Sequence, residues 1–211
     1  MSYLGTQPND VKKNIGLYTP SEILQLTKEG SWGGSLELIE EQTVSGTPSS
    51  IDFINLANNP YDVYFMTVNS FSSATDYGAL SLRVSTDNGS SFKTTGYQYA
   101  NQYNNAGSNG EQRSTSYSSI TNMTPPNSGA SPFASNCYAY LYNFLDSTKY
   151  SFATFQSTAY ISAVPEYEGY FGGGVYPVAE THNAIRLFPQ NSSNVDQGTI
   201  KLYGVKQIWV T

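Results

Sequence analysis

From Leu36 onward the chain alternates apolar and polar residues with a period of two, in short runs separated by Gly, Asn, Ser and Pro. Successive side chains of a strand point to opposite faces, so this pattern writes half-buried β-strands and excludes an amphipathic helical core. Leu80-Ser81-Leu82-Arg83-Val84 is the cleanest case. Leu36–Ile39, Ile51–Ile54, Tyr61–Val68, Phe92–Tyr99, Tyr138–Phe144, Tyr150–Ile161, Ala184–Phe188 and Thr199–Val210 read the same way. No helical crossover of sufficient length lies between any two of them, so the pairing is expected to be antiparallel. With no internal repeat of propeller or solenoid period, the expected fold is all-β, an antiparallel two-sheet β-sandwich of jelly-roll type. A chain of 211 residues is long enough for one such domain with a full core.

The first 34 residues break that period. Thr19-Pro20-Ser21-Glu22 carries a capping residue, a proline at the first helical position and a glutamate three residues after the cap, and Tyr18 is placed to staple to Ile23. A short helix is expected from about Pro20 to Glu29, its Ile23, Leu24 and Leu26 needing a surface to pack on. Residues 30–35 (Gly-Ser-Trp-Gly-Gly-Ser) form a hinge anchored by Trp32. The expected organisation is therefore an attachment arm at 1–34, with Tyr18, Thr19, Ile23, Leu24 and Trp32 as candidate attachment residues, and a sandwich at 35–211. The stretch from Asn101 to Asn136 is rich in Asn, Ser, Gly, Thr and Pro and reads as a long exposed loop.

Composition narrows the function. Charged residues make up only 12 % of the chain and the net charge is −6, with the few Lys and Arg scattered, so neither nucleic acid nor an anionic membrane is an expected partner. No apolar run has bilayer-spanning length, and the amino terminus lacks the basic and apolar regions of a secretory signal. The protein is expected to be made in a cytoplasm, with no membrane insertion. A single cysteine, Cys137, has no internal disulfide partner and sits in an apolar run, which gives it the role of a small buried hydrophobe. With one His and one Cys, a zinc site of ordinary composition cannot be built, and no metal or other cofactor is expected.

Catalytic motifs are sparse. Ser85-x-Asp87-x-Gly89-x-x-Phe92 matches the Asp box known from sialidases, but its chemistry is structural: Asp87 accepts turn hydrogen bonds, Gly89 takes a positive φ, and Phe92 packs a hairpin on its sheet. A sialidase needs several boxes and an arginine cluster, whereas the arginines here are Arg83, Arg113 and Arg186. Glu37, Glu40 and Glu41 form an acidic cluster, and Glu166 and Glu168 share a face if they lie in a strand; no cleft is evident that would make either set a hydrolytic pair. His182, the one histidine, has no nucleophile elbow near it. Gly172-Gly173-Gly174 lacks the Lys-Ser/Thr of a phosphate loop and reads as a flexible tip or bulge. The protein is therefore expected not to be an enzyme.

Tyrosine occurs 18 times. Tyr138, Tyr140, Tyr142 and Phe144 alternate, so all four are expected on one face, either core or contact surface. Tyr138, Tyr140, Tyr142, Tyr167 and Tyr170 are the candidate glycan or subunit contacts.

Two segments carry a resemblance. Tyr3-Leu4-Gly5-Thr6-Gln7-Pro8, with residues 17–22 and 30–36, resembles the start of small virion structural and fibre-type proteins of marine tailed bacteriophages. Residues 183–189 and 198–205 (Asn-Ala-Ile-Arg-Leu-Phe-Pro and Gly-Thr-Ile-Lys-Leu-Tyr-Gly-Val) resemble the closing strands of phage jelly-roll domains. The resemblance implies a non-enzymatic virion component, a tail or head fibre-type protein or a capsid decoration protein. Its partners would be other virion proteins and copies of itself, first of all as a homotrimer. The alternative is a carbohydrate-binding module through which the virion recognises host surface glycans. No catalytic residue is carried over.

Overall fold

The computed structural model describes residues 19–21, 24, 36–75, 77–127, 133–161 and 165–206. The chain divides into two units, Met1–Ser35 and Leu36–Thr211. In the first, Pro20, Ser21 and Leu24 are helical and the Thr19 hydroxyl lies 3.0 Å from that of Ser21. The remainder of the helix expected at 20–29, with Tyr18, Ile23 and Trp32, lies outside the described residues, as does the end of the last expected strand at 207–210.

The second unit is an antiparallel two-sheet sandwich. Its strands are β1 (Leu36–Thr43), β2 (Ile51–Phe53), β3 (Val63–Ser73), β4 (Leu80–Ser85), β5 (Tyr97–Asn105), β6 (Asn109–Tyr117), β7 (Ser135–Tyr142), β8 (Ser151–Ile161), β9 (Glu166–Tyr176), β10 (Ala184–Pro189) and β11 (Val195–Val205). The large sheet has eight strands in the order β1-β11-β3-β7-β8-β9-β5-β6, and the small one has three, β2-β10-β4. All pairs are antiparallel.

The core lies between the sheets. Ile51, Phe53, Leu82, Val84, Ile185 and Leu187 of the small sheet join Tyr64, Met66, Ala139, Leu141, Phe155, Ile200 and Leu202 of the large one in one buried cluster. Cys137 belongs to it, and burial pushes its thiol well above the ordinary range. β8 shows why this works: its residues alternate buried and exposed along its whole length, so one face is core and the other solvent.

Three sequence expectations change. The stretch 101–136 is not one exposed loop. It completes β5, forms β6, and then runs along the free edge of β4, where Leu82 and Ile120 exchange backbone hydrogen bonds (2.8 and 3.0 Å) and Met123 N–H donates to Leu80 O at 2.9 Å. Ile120, Met123 and Thr124 are buried there. Polar residues tolerate that burial because their hydroxyls are used: Thr124 Oγ1 accepts from Leu80 N–H at 3.0 Å, and Thr121 and Ser81 hydroxyls bond at 2.8 Å. Gly172-Gly173-Gly174 is no flexible tip but the middle of β9, paired on both sides. A Cβ at Gly173 would sit 2.6 Å from Ala153 O, and one at Gly174 2.8 Å from Gln98 O, so the glycines permit a close approach of neighbouring backbones. The Asp box, finally, does not cap a hairpin: β4 and β5 belong to different sheets, and the box turns the chain from one to the other.

Candidate functional site

The turn itself is built as the motif demands. Asp87 Oδ1 accepts from Ser91 N–H (2.8 Å) and Ser85 Oγ–H (2.7 Å), while Ser85 Oγ accepts from the Gly89 N–H (2.9 Å). These bonds, the Ser91 hydroxyl first, stabilise the carboxylate and pull the Asp87 pKa down to about 2. Gly89 has φ +88°. Phe92 does not pack into the core; the Arg186 guanidinium lies 4.1 Å over its ring.

The acidic residues are dispersed. Glu41 pairs with Lys201 at 3.1 Å and Glu37 with Lys206 at 3.1 Å, the Tyr61 hydroxyl donating to Glu37 at 2.8 Å, while Glu40 accepts from Gln42 Nε2. The Tyr61 hydroxyl, then Lys206, hold Glu37 below the usual carboxylate range. Glu166 and Glu168 do share the inner face of β9, and Glu168 is buried there. Burial, then Glu166, raises its pKa, and its Oε2 has no hydrogen-bond partner. Asn101 Oδ1, Gln112 Oε1 and Ser157 Oγ, on inner-face positions of the neighbouring strands, are likewise unsatisfied.

His182 makes contacts to one sequence neighbour and to one residue far along the chain. Its Nδ1 lies 2.7 Å from Ser151 Oγ, its Nε2 3.3 Å from Glu180 Oε1, and Lys93 pairs with the same carboxylate oxygen at 3.0 Å. The order serine, imidazole, carboxylate is that of a hydrolytic triad. Access decides against that role: Ser151 is 1 % and His182 0 % exposed, with the rings of Tyr176 and Phe144 edge-on to the imidazole at 5.3 and 6.3 Å. A nucleophile must meet its substrate, and this hydroxyl is sealed. Burial lowers the His182 pKa against the opposing pull of Glu180, so the neutral imidazole that bridges Ser151 and Glu180 is the resting form.

The exposed chemistry is on the outer face of the large sheet. Register places Arg113, Ala100, Gly173, Thr154, Tyr140, Phe65 and Tyr203 in one row across six neighbouring strands and the edge strand β6. On one side of it stand Gln98, Val175, Phe152 and Tyr142; on the other, Gln102, Phe171, Gln156 and Tyr138. Tyr138, Tyr140, Phe152 and Phe171 are each about two-fifths exposed, at 42, 37, 42 and 45 %. Phe65 sits among Tyr140, Tyr203 and Tyr138, with ring centroids 4.9, 6.1 and 6.3 Å away. Comparison with protein-family models, curated proteins and solved structures finds no match for the chain.

Of the tyrosines expected to make contacts, Tyr138, Tyr140, Tyr142 and Tyr167 are on this outer face. Tyr170 is not: it is buried on the inner face against Tyr103. Phe144 also leaves the row. The strand ends at Tyr142, Asn143 turns with φ +62°, and Phe144 drops into the core. Sequence reading missed Phe65, Phe152 and Phe171, although each takes the outward side of the same alternation that marks Tyr138 and Tyr140.

The small residues of the central row leave a depression. An open trough of about 800 Å³ runs over Ala100, Gly173 and Thr154, between Phe152 and Arg113. A smaller one lies beside it between Arg113 and Phe171. Arg113 is charge-balanced by Glu111 at 3.0 Å. Every strand flooring the trough is hydrogen-bonded on both sides except β6, so an occupant there meets side chains rather than a free sheet edge.

Proposed function

We propose that this protein is a non-enzymatic structural component of a bacteriophage virion, assembled with other virion proteins and copies of itself, and that the outer face of its large sheet is the surface it presents. One observation carries the reading of a protein that works by contact: a field of exposed aromatics, Tyr138, Tyr140, Phe152, Tyr167 and Phe171, with Phe65 half-buried among them, on a sheet whose other face carries the core. Tyr and Phe supply large contact area at low side-chain entropy cost, and exposed apolar patches of this kind mark interaction sites. The burial of Ser151 and His182, which closes that serine–imidazole pair to a substrate, supports the non-enzymatic part. The likeness of residues 3–8 and of the closing strands to marine phage virion proteins supports the particle as the setting.

The test is mass spectrometry of purified particles, with a variant carrying Tyr140→Ser, Phe152→Ser and Phe171→Ser beside the parent chain. The expected result is the parent chain in stoichiometric amount and loss of the folded variant from particles. Absence of the parent chain from particles overturns the virion assignment; normal incorporation of the variant overturns the role of this face in assembly.

The trough over Ala100, Gly173 and Thr154 favours a second reading, a glycan-recognition face. Phe152 and Phe171 offer ring faces to sugar C–H groups. Gln98 and Gln102 offer amides, and beside Phe171 in the next depression the Tyr138 hydroxyl fixes a third by donating to Gln156 Oε1 at 2.6 Å. A glycan array separates the readings: binding abolished by Ala100→Trp, which fills the trough floor, assigns recognition, and no binding leaves assembly alone.

A further inference from the structure

The outer face of the small sheet carries a charge arrangement that the contact surface does not use. Register aligns Asp52 of β2, Arg186 of β10 and Arg83 of β4 in one row. Arg186 and Asp52 form a bidentate pair, Nε to Oδ1 at 2.7 Å and Nη2 to Oδ2 at 2.6 Å. Arg83, directly across from Arg186, has no carboxylate within ion-pair reach among the described residues. Like charges directly opposed across strands are destabilising, so the row reads minus, plus, plus, with the second plus unbalanced.

Arg83 is also held in place. Its Nε–H donates to Ser118 O at 2.9 Å, and its guanidinium lies 4.4 Å over the Phe188 ring. That grip consumes one of its five N–H donors. Beyond it the row passes onto the buried edge segment 118–124, which contains no acidic residue. Burial and, to a smaller extent, the Arg186 charge pull the Arg83 pKa down against the opposing pull of Tyr97.

A cleft of about 310 Å³ opens at this point, separate from the trough on the large sheet. Its wall is hydroxyl-rich: Ser49 and Ser50 before β2, Ser118 and Ser119 on the edge segment, Ser192 and Ser193 in the turn between β10 and β11. Three stretches distant in sequence thus bring serines around one fixed, unbalanced guanidinium. We propose that this cleft binds a small oxyanion group, the carboxylate or phosphate of a ligand, which engages the terminal Nη donors of Arg83, its Nε–H remaining on Ser118 O, and completes the row. Guanidinium donors match a carboxylate or phosphate edge two at a time, and serine hydroxyls donate to the oxygens that remain. The proposal stands on the small sheet alone and is independent of the virion reading.

The test follows the Arg83 Nε–Hε resonance of the full chain by NMR while inorganic phosphate, glucuronate or, as an uncharged control, glucose is added at matched ionic strength. A saturable shift of Arg83 in the millimolar range with phosphate or glucuronate, absent with glucose and not shared by Arg113, is the expected result. Phosphate alone assigns a free or esterified phosphate, and glucuronate alone a sugar acid. The Arg83→Gln variant is expected to bind at least about tenfold more weakly, measured by calorimetry, since charge-assisted hydrogen bonds are lost. The same variant relieves the Arg83–Arg186 opposition, so it remains folded with an unchanged or raised Tm when no anion is present. No saturable Arg83 shift with either anion overturns the proposal, and so does equal affinity in Arg83→Gln.

Discussion

Substituting Gly173 with alanine tests the close approach of strands that shapes both the large sheet and its trough. An added Cβ falls 2.6 Å from the carbonyl oxygen of Ala153 and 3.5 Å from Thr154 Cα. The obstacle is backbone, which no rotamer change removes, so β8 and β9 must part locally. Overpacking of this kind costs about 1–3 kcal/mol, and the fixed neighbour places the cost toward the upper end. Against it, alanine reduces the freedom of the unfolded chain by about 0.4–1 kcal/mol. The net expectation is destabilisation by about 2 kcal/mol, a fall in Tm of about 4–8 °C for a domain of this size. Gly107→Ala is the control, because there the added Cβ meets nothing nearer than 3.9 Å and φ lies outside the left-handed region. Differential scanning calorimetry and urea unfolding measure both variants. A Gly173→Ala protein as stable as the parent, or no less stable than Gly107→Ala, refutes the argument from close approach.

Leu202→Ala, in the fully buried middle of β11, is expected to cost about 3 kcal/mol by urea unfolding. The His182 pKa is depressed by folding, so the stability tied to its neutral form is complete above the ordinary histidine value and is lost as pH falls through the folded one. Tm is therefore expected to decline below about pH 6.5, and His182→Gln to flatten that limb. If the two profiles run parallel there, the imidazole is not the titrating group. Glu168 has the opposite sign: its folded pKa is raised, so its contribution is complete below the ordinary carboxylate value and disappears as pH rises through the folded one. Glu168→Gln, which copies the protonated acid, is expected to raise Tm at neutral pH and to leave it unchanged near pH 4. A lower Tm at neutral pH refutes this account of Glu168.

How far the fold was legible from sequence depended on whether a strand has one wet face and one dry face. β3, β7 and β8 do, and their alternation is plain in Tyr64-Met66-Val68 or Cys137-Ala139-Leu141; β4 alternates as cleanly in sequence although Ser81 and Ser85 on its other face are also buried. β6 and β9 do not: β6 is a mostly polar edge strand, and β9 has glycines where side chains would mark its faces. Both were unreadable as strands for that reason. The Asp box was legible as a turn, because its hydrogen bonds close within eight residues, but not as a bridge between sheets.

What residue order alone determined is therefore local: the period of two that compels a half-buried sheet, the turn chemistry of Ser85–Phe92, and the scarcity of charge. Tertiary structure decided everything that depends on which strands become neighbours. It turned Tyr138 and Tyr140 outward beside Phe65 and Phe152, sealed His182 against Ser151 across 31 positions of sequence, and set Arg83 opposite Arg186 with a carboxylate, among the described residues, for only one of them. Alternation states that a strand has two faces, but which face meets water is settled only when a second sheet covers the other.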